Sequence, residues 1–450
     1  MFHIISATVL LAALPICAAM SQTVDPSTLR GKFLFGYQGW FSSTQDGDPY
    51  SAASHTDMHW SQWGEGLPNA GNVTVDMWPD TTAYPSKLLY GTGFQTGGKR
   101  VAQIYSAYDA ATVDLHFKWM RDYGLDGAVA QRFVGHIVGG DPPALNAEID
   151  QVERNVRASA EKYGRVFALE FDCSICTSAT VVQTIEQQWA YVTDTLKLTS
   201  SPNYLHQNGA PVLFLYGFGI IPYPTLGVPA QALDVLNWFH HGPARYRATI
   251  VGQTCIGWRK LAQGCLTDPG WAAVYRAYDV ISPWFVGGWA SPAGGDSNWI
   301  NTIKGDIDAT AVNGQGYMPV LWPGFSAYNL ERLRGLNAYS NAIPRNGGQL
   351  WWRQIYDYLG SDPAHRIRMA YGAMFDEVDE GTAMYKLAPT QNDVPNGGLA
   401  KFVSLDSDGY ALPSDWYLQL ANCATSALHG AFVPGPTIPI TPPGAAPGCS

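Results

Sequence analysis

Four carboxylates fall within five residues in Asp376-Glu377-Val378-Asp379-Glu380, and they follow an apolar run instead of decorating a charged helix. Carboxylates packed this closely raise one another's pKa, so some stay protonated near neutral pH while others ionise. One protonated and one ionised carboxyl is the pair that glycosidic bond cleavage requires. Glu377 and Glu380 stand three residues apart, a spacing that brings both into one cleft if the chain turns there. On spacing alone two other uses stay open: a calcium site and the capping of a following helix.

Other residues with chemical potential cluster at the ends of apolar runs. Glu170 and Asp172 are two apart and so share one face of an extended strand. Asp172 is the better site candidate of the two, because Glu170 lies deeper along its strand and suits a paired carboxylate inside the fold. Tyr37, Gln38 and Trp40 end the first run, and Gln131 and Arg132 end the second. Trp258 and Arg259 follow the fifth, Trp284 ends the sixth and Trp322 the seventh. With Asp376, these form a candidate substrate-binding set. Arg132 and Arg259 equally suit neutralisation of nearby carboxylates. Asp76 and Asp80, in the long segment after the first run, suit sugar hydroxyls or turns; His59, Trp60 and Trp63 nearby suit stacking on a sugar or plain packing.

These positions need a scaffold that collects strand ends. Eight short apolar runs alternate with helical patterns, at 33–37, 127–131, 166–172, 211–217, 248–253, 280–284, 317–322 and 369–375. Amphipathic helices are expected at 111–123, 144–163, 180–196 and 230–239. Alternation of this kind predicts a parallel sheet with crossover helices. Eight such units close into a single (β/α)8 TIM barrel, whose active site gathers the carboxyl ends of the strands. The rival is an open doubly wound sheet, and no glycine-rich phosphate fingerprint follows the first strand to support it. The segment 41–101 reads as an elaborated first βα loop.

Composition narrows the class of partner. Only 14% of the 450 residues are charged, whereas Trp and Tyr number 16 and 24. Few charges with many aromatic rings tilt the reading toward sugars, although most Trp in any protein is core. The net charge of −10 and the lack of a basic cluster argue against nucleic acid and against an anionic membrane surface. Residues 4–16 form an uncharged, mostly apolar stretch followed by Cys17-Ala18-Ala19, which reads as a signal peptide over 1–19. The mature chain is therefore expected to be secreted, without a membrane anchor. Residues 20–432 form the barrel domain and 433–450 a Pro/Gly-rich tail. Six cysteines remain, and sequence proximity suggests Cys173–Cys176, Cys255–Cys265 and Cys423–Cys449 among fifteen possible pairings. A zinc site is a poor rival, with a single C-x-x-C. Asn72-Val73-Thr74 is the one glycosylation sequon.

The strand-end residues also carry a resemblance. The ordered set Gly36-Tyr37-Gln38-Gly39-Trp40-Phe41, Tyr123-Gly124-Leu125-Asp126-Gly127, Trp258-Arg259, Ser282-Pro283-Trp284, Pro323-Gly324-Phe325-Ser326 and Phe375 to Thr382 resembles the glycoside hydrolase family 71/99-like group. Its relatives include endo-α-mannosidases and endo-mannanases of family 99, and some members carry the label xylosidase/arabinosidase. The resemblance spans about residues 33 to 390. Family 99 ends its eighth strand with Asn-Glu-Trp-His-Glu-Gly-Thr, whose two glutamates match Glu377 and Glu380. The resemblance implies that Glu377 assists the sugar's own 2-hydroxyl as internal nucleophile. It implies that Glu380 serves as general acid and then base, with no metal or organic cofactor. Asp376, Val378 and Asp379 stand where the family has Asn, Trp and His, and Gly-Tyr-Gln-Gly-Trp replaces a Tyr-Pro-Trp-Tyr type sequence. Mannose specificity is therefore not carried over. The expectation is a monomeric, secreted glycosidase acting on an α-linked polysaccharide or glycan. Alternatives are a carbohydrate-binding protein on a degenerate barrel and a transglycosylase using the same pair.

Overall fold

The computed structural model describes residues 23–43, 45–47, 63–64, 66–135, 143–174, 176, 180–221, 228–442 and 449. The expected signal peptide, His59 and Trp60 lie outside the described residues.

Six strands occur where apolar runs placed them: Phe33–Tyr37, Gly127–Phe133, Val166–Asp172, Ala210–Tyr216, Thr249–Thr254 and Val280–Pro283. They are rich in Val, Ile, Leu and Phe and mostly buried from end to end, as parallel strands covered on both faces must be. All pair in parallel in chain order, with registers such as Leu34↔Gly127, Gly127↔Val166 and Leu169↔Leu213.

The seventh strand differs from expectation. It is two short pieces, Gly316–Tyr317 and Val320–Leu321, because Pro319 has no N–H to donate and interrupts the ladder. The first piece pairs with Val280–Pro283, and the second with the eighth strand, Ala370–Gly372. Across the gap the Met318 N–H donates to Ile281 (2.9 Å) and the Pro319 carbonyl accepts from Tyr371 N (3.1 Å). Ala370–Gly372 in turn pairs with Phe33–Tyr37, so the ring closes as a (β/α)8 barrel. The eighth strand is shorter than its apolar run: beyond Gly372 the chain turns into the acidic segment.

Crossover helices cover the outside, at Ala110–Asp122, Pro143–Tyr163, Val181–Asp194 and Pro229–His241 as the periodicity indicated. Further helices, including Trp271–Ala277, Lys304–Asn313, Gln349–Tyr356 and Trp416–Leu428, complete the layer. The first βα connection is indeed elaborated. It carries an antiparallel hairpin, Tyr90–Gln95 with Val101–Ile104, and a cluster of buried rings. Phe41 meets Trp63 at 4.7 Å between centroids, and Tyr84 stacks on Tyr105 at 5.2 Å. At the centre of that cluster His116 is hydrogen-bonded through Nδ1 to Tyr37 Oη (2.9 Å) and through Nε2 to Tyr84 Oη (2.8 Å), one nitrogen donating and the other accepting.

Three disulfides join Cys173–Cys176, Cys255–Cys265 and Cys423–Cys449. The last ties the end of the tail to the helix Trp416–Leu428, and Trp352 Nε1 holds the Gly435 carbonyl (3.1 Å). Among the described residues no helix is long and apolar enough to cross a membrane.

Candidate active site

The acidic run forms a tight turn, not a helix cap: no helix begins between it and Trp416. Gly381 closes the turn with φ +64°, and a Cβ there would sit 2.9 Å from the Ser326 nitrogen. Its backbone is fastened from outside. Ser326 N donates to the Glu380 carbonyl (2.9 Å), and buried Arg345 donates to the carbonyls of Gly381 (2.8 Å) and Ala383 (2.7 Å).

Each carboxylate of the turn has a distinct setting. Asp376 is fully buried and accepts the N–H groups of Gln38 (2.8 Å) and Gly39 (2.9 Å), which welds the end of the first strand to the eighth. Burial pushes its pKa up to about 7 against the pull of those two donors. It is thus a joint between strands, with its oxygens already engaged, rather than an open substrate contact. Glu377 accepts Gln38 Nε2 on one oxygen (2.7 Å) and the Thr382 hydroxyl on the other (2.5 Å). Burial, then the neighbouring charges of Glu380 and Asp379, drive its pKa well above the ordinary value, while the two donors oppose them. Glu380 is half-buried; burial raises it and Arg334 draws it down. Asp379 is buried with Oδ1 unbonded, and burial and Glu380 raise it. The turn therefore brings Glu377 and Glu380 into electrostatic contact. The charge of Glu380 is one of the causes that raise Glu377, so ionising the two together is disfavoured.

A second group faces the same barrel end from the third strand. Tyr371 Oη donates to Glu170 Oε2 (3.0 Å), and Gln131 Nε2 donates to Asp172 Oδ2 (2.6 Å). Burial first, then the charge of Asp172, raises Glu170 to about 8. Glu170 is thus the paired carboxylate its depth suggested. The buried Gln253 amide faces Glu170 and Tyr371 without reaching hydrogen-bond geometry with either. Burial first, then the charge of Glu170, pushes the Tyr371 hydroxyl well above its ordinary pKa, and the charge of Glu377 adds to the rise. Trp284 is half-buried and meets Tyr216 and Tyr371 edge-on at 5.3 and 6.0 Å. Trp40 stacks on Phe133 at 5.1 Å, its Nε1 buried without a partner.

The remaining candidates are placed in the scaffold. Tyr37 is fully buried in the His116 cluster. Arg132 is 1% exposed and pairs with Asp150 and Glu153 (3.0 Å each), tying the second strand to the helix Pro143–Tyr163. Arg259 pairs with Asp306 and donates to the Thr302 carbonyl (3.0 Å), and buried Trp258 lies beside the same Asp306. Trp322 is fully buried against Trp289 (5.5 Å), its backbone bracketed by Gln354. These corrections have one cause: the residue at a strand end can turn outward into the helix layer as readily as toward the mouth. Asp76 is likewise structural; it accepts from the Ser326 hydroxyl and from Tyr328 N (2.7 Å) and Asn329 N (2.8 Å). Asp80 caps the short turn Thr81–Ala83. Trp63 is core, its Nε1 donating to the Tyr105 carbonyl (3.0 Å).

Sequence reasoning missed Thr382, Tyr371 and Arg334. Thr382 and Tyr371 were readable as polar groups five residues after and six before Glu377. Arg334, beyond the helix Tyr328–Leu333, carries no local signal, since only folding brings it to Glu380. Among the described residues no three His, Cys, Asp or Glu side chains are arranged to hold a metal ion.

No protein-family model and no curated protein matches this sequence. Solved structures do. The endo-α-mannosidase of glycoside hydrolase family 99 from Bacteroides thetaiotaomicron superposes with a TM-score of 0.60 at 15% identity. The match covers 90% of this chain and 99% of that one. The same enzyme in complex with BIS-TRIS-propane matches equally well, with a TM-score of 0.60 at 15% identity. The two chains share the barrel fold. The superposition spans essentially the whole of that enzyme.

Proposed function

We propose that this chain is a glycoside hydrolase in which Glu377 and Glu380 carry the proton transfers of glycosidic cleavage. The observation that carries the reading is the Glu377–Glu380 turn itself: two raised, mutually repelling carboxyls at the carboxyl end of a closed barrel, one gripped by two donors and the other half-exposed. The full-length likeness to a family 99 endo-α-mannosidase supports it.

The division of labour follows from the settings. Glu377 is oriented by a donor on each oxygen, and these donors oppose the rise that burial and its acidic neighbours impose; once ionised, it suits the base that assists a sugar hydroxyl. Glu380 has the freer carboxyl, able to give its proton to the leaving oxygen as that oxygen's bond to C1 breaks and the hydroxyl oxygen deprotonated by Glu377 bonds to C1. Water then attacks C1 and gives its proton to Glu380, while the bond from C1 to the hydroxyl oxygen opens and Glu377 returns the proton to it. Gln131, Asp172 and Trp284 lie at the same barrel end and suit sugar hydroxyls and a sugar face. The substrate class proposed is an α-linked polysaccharide or glycan, and the disulfides are compatible with a secreted enzyme.

The test is turnover on a panel of α-linked glycans by the wild type and by Glu377→Gln and Glu380→Gln. Each substitution is expected to lower kcat by about 10²–10⁴-fold with the Tm preserved or raised. Unchanged turnover in both variants sinks the assignment. Saturable sugar binding without turnover, indifferent to both changes, points to a lectin-like barrel, and products longer than the substrate point to glycosyl transfer.

A further inference from the structure

A cavity of about 610 Å³ lies at the opposite end of the barrel from Glu377 and Glu380. Its lining includes Thr249, Val280 and Gly316, the first residues of three barrel strands, and Met369 just before a fourth. That amino-terminal face of a (β/α)8 barrel ordinarily serves stability and not catalysis. The volume is in the range of ligand pockets, roughly 300–1,000 Å³.

Its charge is anomalous for this molecule. The whole chain carries −10, yet Arg30, Arg276, Arg366 and Arg368 all line this one cavity. Among the described residues none of the four forms an ion pair. Asp279 also lines the cavity, as a single carboxylate against four guanidinium groups, and His240 Nε2 (3.0 Å) and Ile250 N (2.7 Å) both engage its Oδ2. The amides of the rim are committed elsewhere. Gln207 Oε1 accepts from Thr28 and Leu29, and Gln315 Nε2 donates to the carbonyls of Tyr275 and Tyr278. Arg366 donates one N–H to the Ala427 carbonyl (2.7 Å), which anchors its stem and leaves the rest of its fork. The unspent hydrogen-bonding capacity of the rim thus lies largely with guanidinium groups. Four like charges gathered around one carboxylate leave a surplus of positive charge, and a planar guanidinium is the side chain best matched to a carboxylate, sulfate or phosphate.

We propose that this cavity is a second ligand site, built for a small polyanion bearing two or more oxyanion groups. A free polycarboxylate and a short acidic saccharide share that chemistry. The site is independent of the barrel mouth, so it stands or falls apart from the hydrolase assignment.

The test is calorimetric titration and thermal denaturation of the full-length protein with citrate and with tri-galacturonate as probes. At low ionic strength at least one probe is expected to bind saturably and raise Tm, with the affinity falling as salt is added. Tighter binding of citrate identifies a free polycarboxylate as the ligand class, and tighter binding of tri-galacturonate identifies an acidic saccharide. Arg276→Gln/Arg368→Gln, both at exposed positions, is expected to weaken binding at least about tenfold while the unliganded Tm and sugar turnover stay unchanged. Arg276→Lys is expected to fall between, keeping charge and losing the fork. Glu377→Gln is expected to leave binding untouched. Absence of saturable binding by either probe, or equal binding by the double variant, overturns the proposal.

Discussion

At the scale of single residues, Glu377, the proposed base, is held between opposing influences. Two effects act on it in opposite directions: burial and acidic neighbours raise its pKa, and Gln38 and Thr382 lower it. Removing a donor therefore has a signed consequence. Thr382→Val deletes the 2.5 Å hydrogen bond and leaves the buried oxygen without a partner. The ionised form loses support, the pKa climbs further, and the acid limb of the pH–kcat/KM profile moves to higher pH. A loss of about 10–100-fold in kcat/KM near neutrality is expected, consistent with roughly 1.5–3 kcal/mol for a hydrogen bond to a charged group. A profile that drops in height without shifting would show that Thr382 only packs the turn.

At the scale of the element, the acidic turn depends on a glycine. Gly381 has a positive φ and faces the Ser326 backbone at a distance no Cβ tolerates. Gly381→Ala is expected to cost about 1–3 kcal/mol from backbone strain alone, with a larger proportional loss of turnover, because Glu380 immediately precedes it. Parallel measurement of Tm and kcat decides this; a variant with wild-type kcat would mean the turn has slack. The seventh strand makes a related point. Pro319 splits it, so one piece serves the sixth strand and the other the eighth. The second piece leads directly through Trp322 to Ser326, which pins the Glu380 carbonyl. The break and the site are thus only a few residues apart along the same connection.

At the scale of the whole molecule, carboxyls held far from water set the dependence of stability on pH. Asp76 and Asp306 are raised to about 6, Glu153 and Asp376 to about 7, and Glu170 to about 8, with burial the leading cause in each. A group whose folded pKa exceeds its unfolded value binds its proton more tightly when folded. Its stabilising effect is complete below the unfolded pKa and is lost as pH rises through the folded one. Tm is therefore expected to fall as pH increases from about 5 to 8, by an amount on the order of a few kcal/mol in stability. Glu170→Gln, which cannot ionise, is expected to flatten the upper part of that curve. A Tm that rises steadily over the same interval would contradict the burial of these groups. Carboxyls pulled the other way, such as Asp122 and Asp362, act only at lower pH and do not offset the trend in this window.

Much of the architecture was legible in the residue order. Runs such as Phe33–Tyr37 and Val166–Asp172 are long enough, apolar enough and spaced widely enough to require a parallel barrel, because only a covered sheet can bury them on both faces. The cysteine neighbours named their partners for the same local reason: short chain separations leave little choice. The acidic turn was visible as well, since four carboxylates after a strand cannot all be solvated. Tertiary structure alone decided which polar side chains look into the mouth. Tyr37, Arg132, Arg259 and Trp322 sit beside strand ends in sequence, but barrel closure turned them toward His116, Asp150 and Glu153, Asp306 and Trp289. Arg334 and Tyr371 came to the carboxylates by the reverse process. Strand identity is a property of local composition, whereas side-chain facing depends on register and on what packs behind, and those are fixed only when the ring closes.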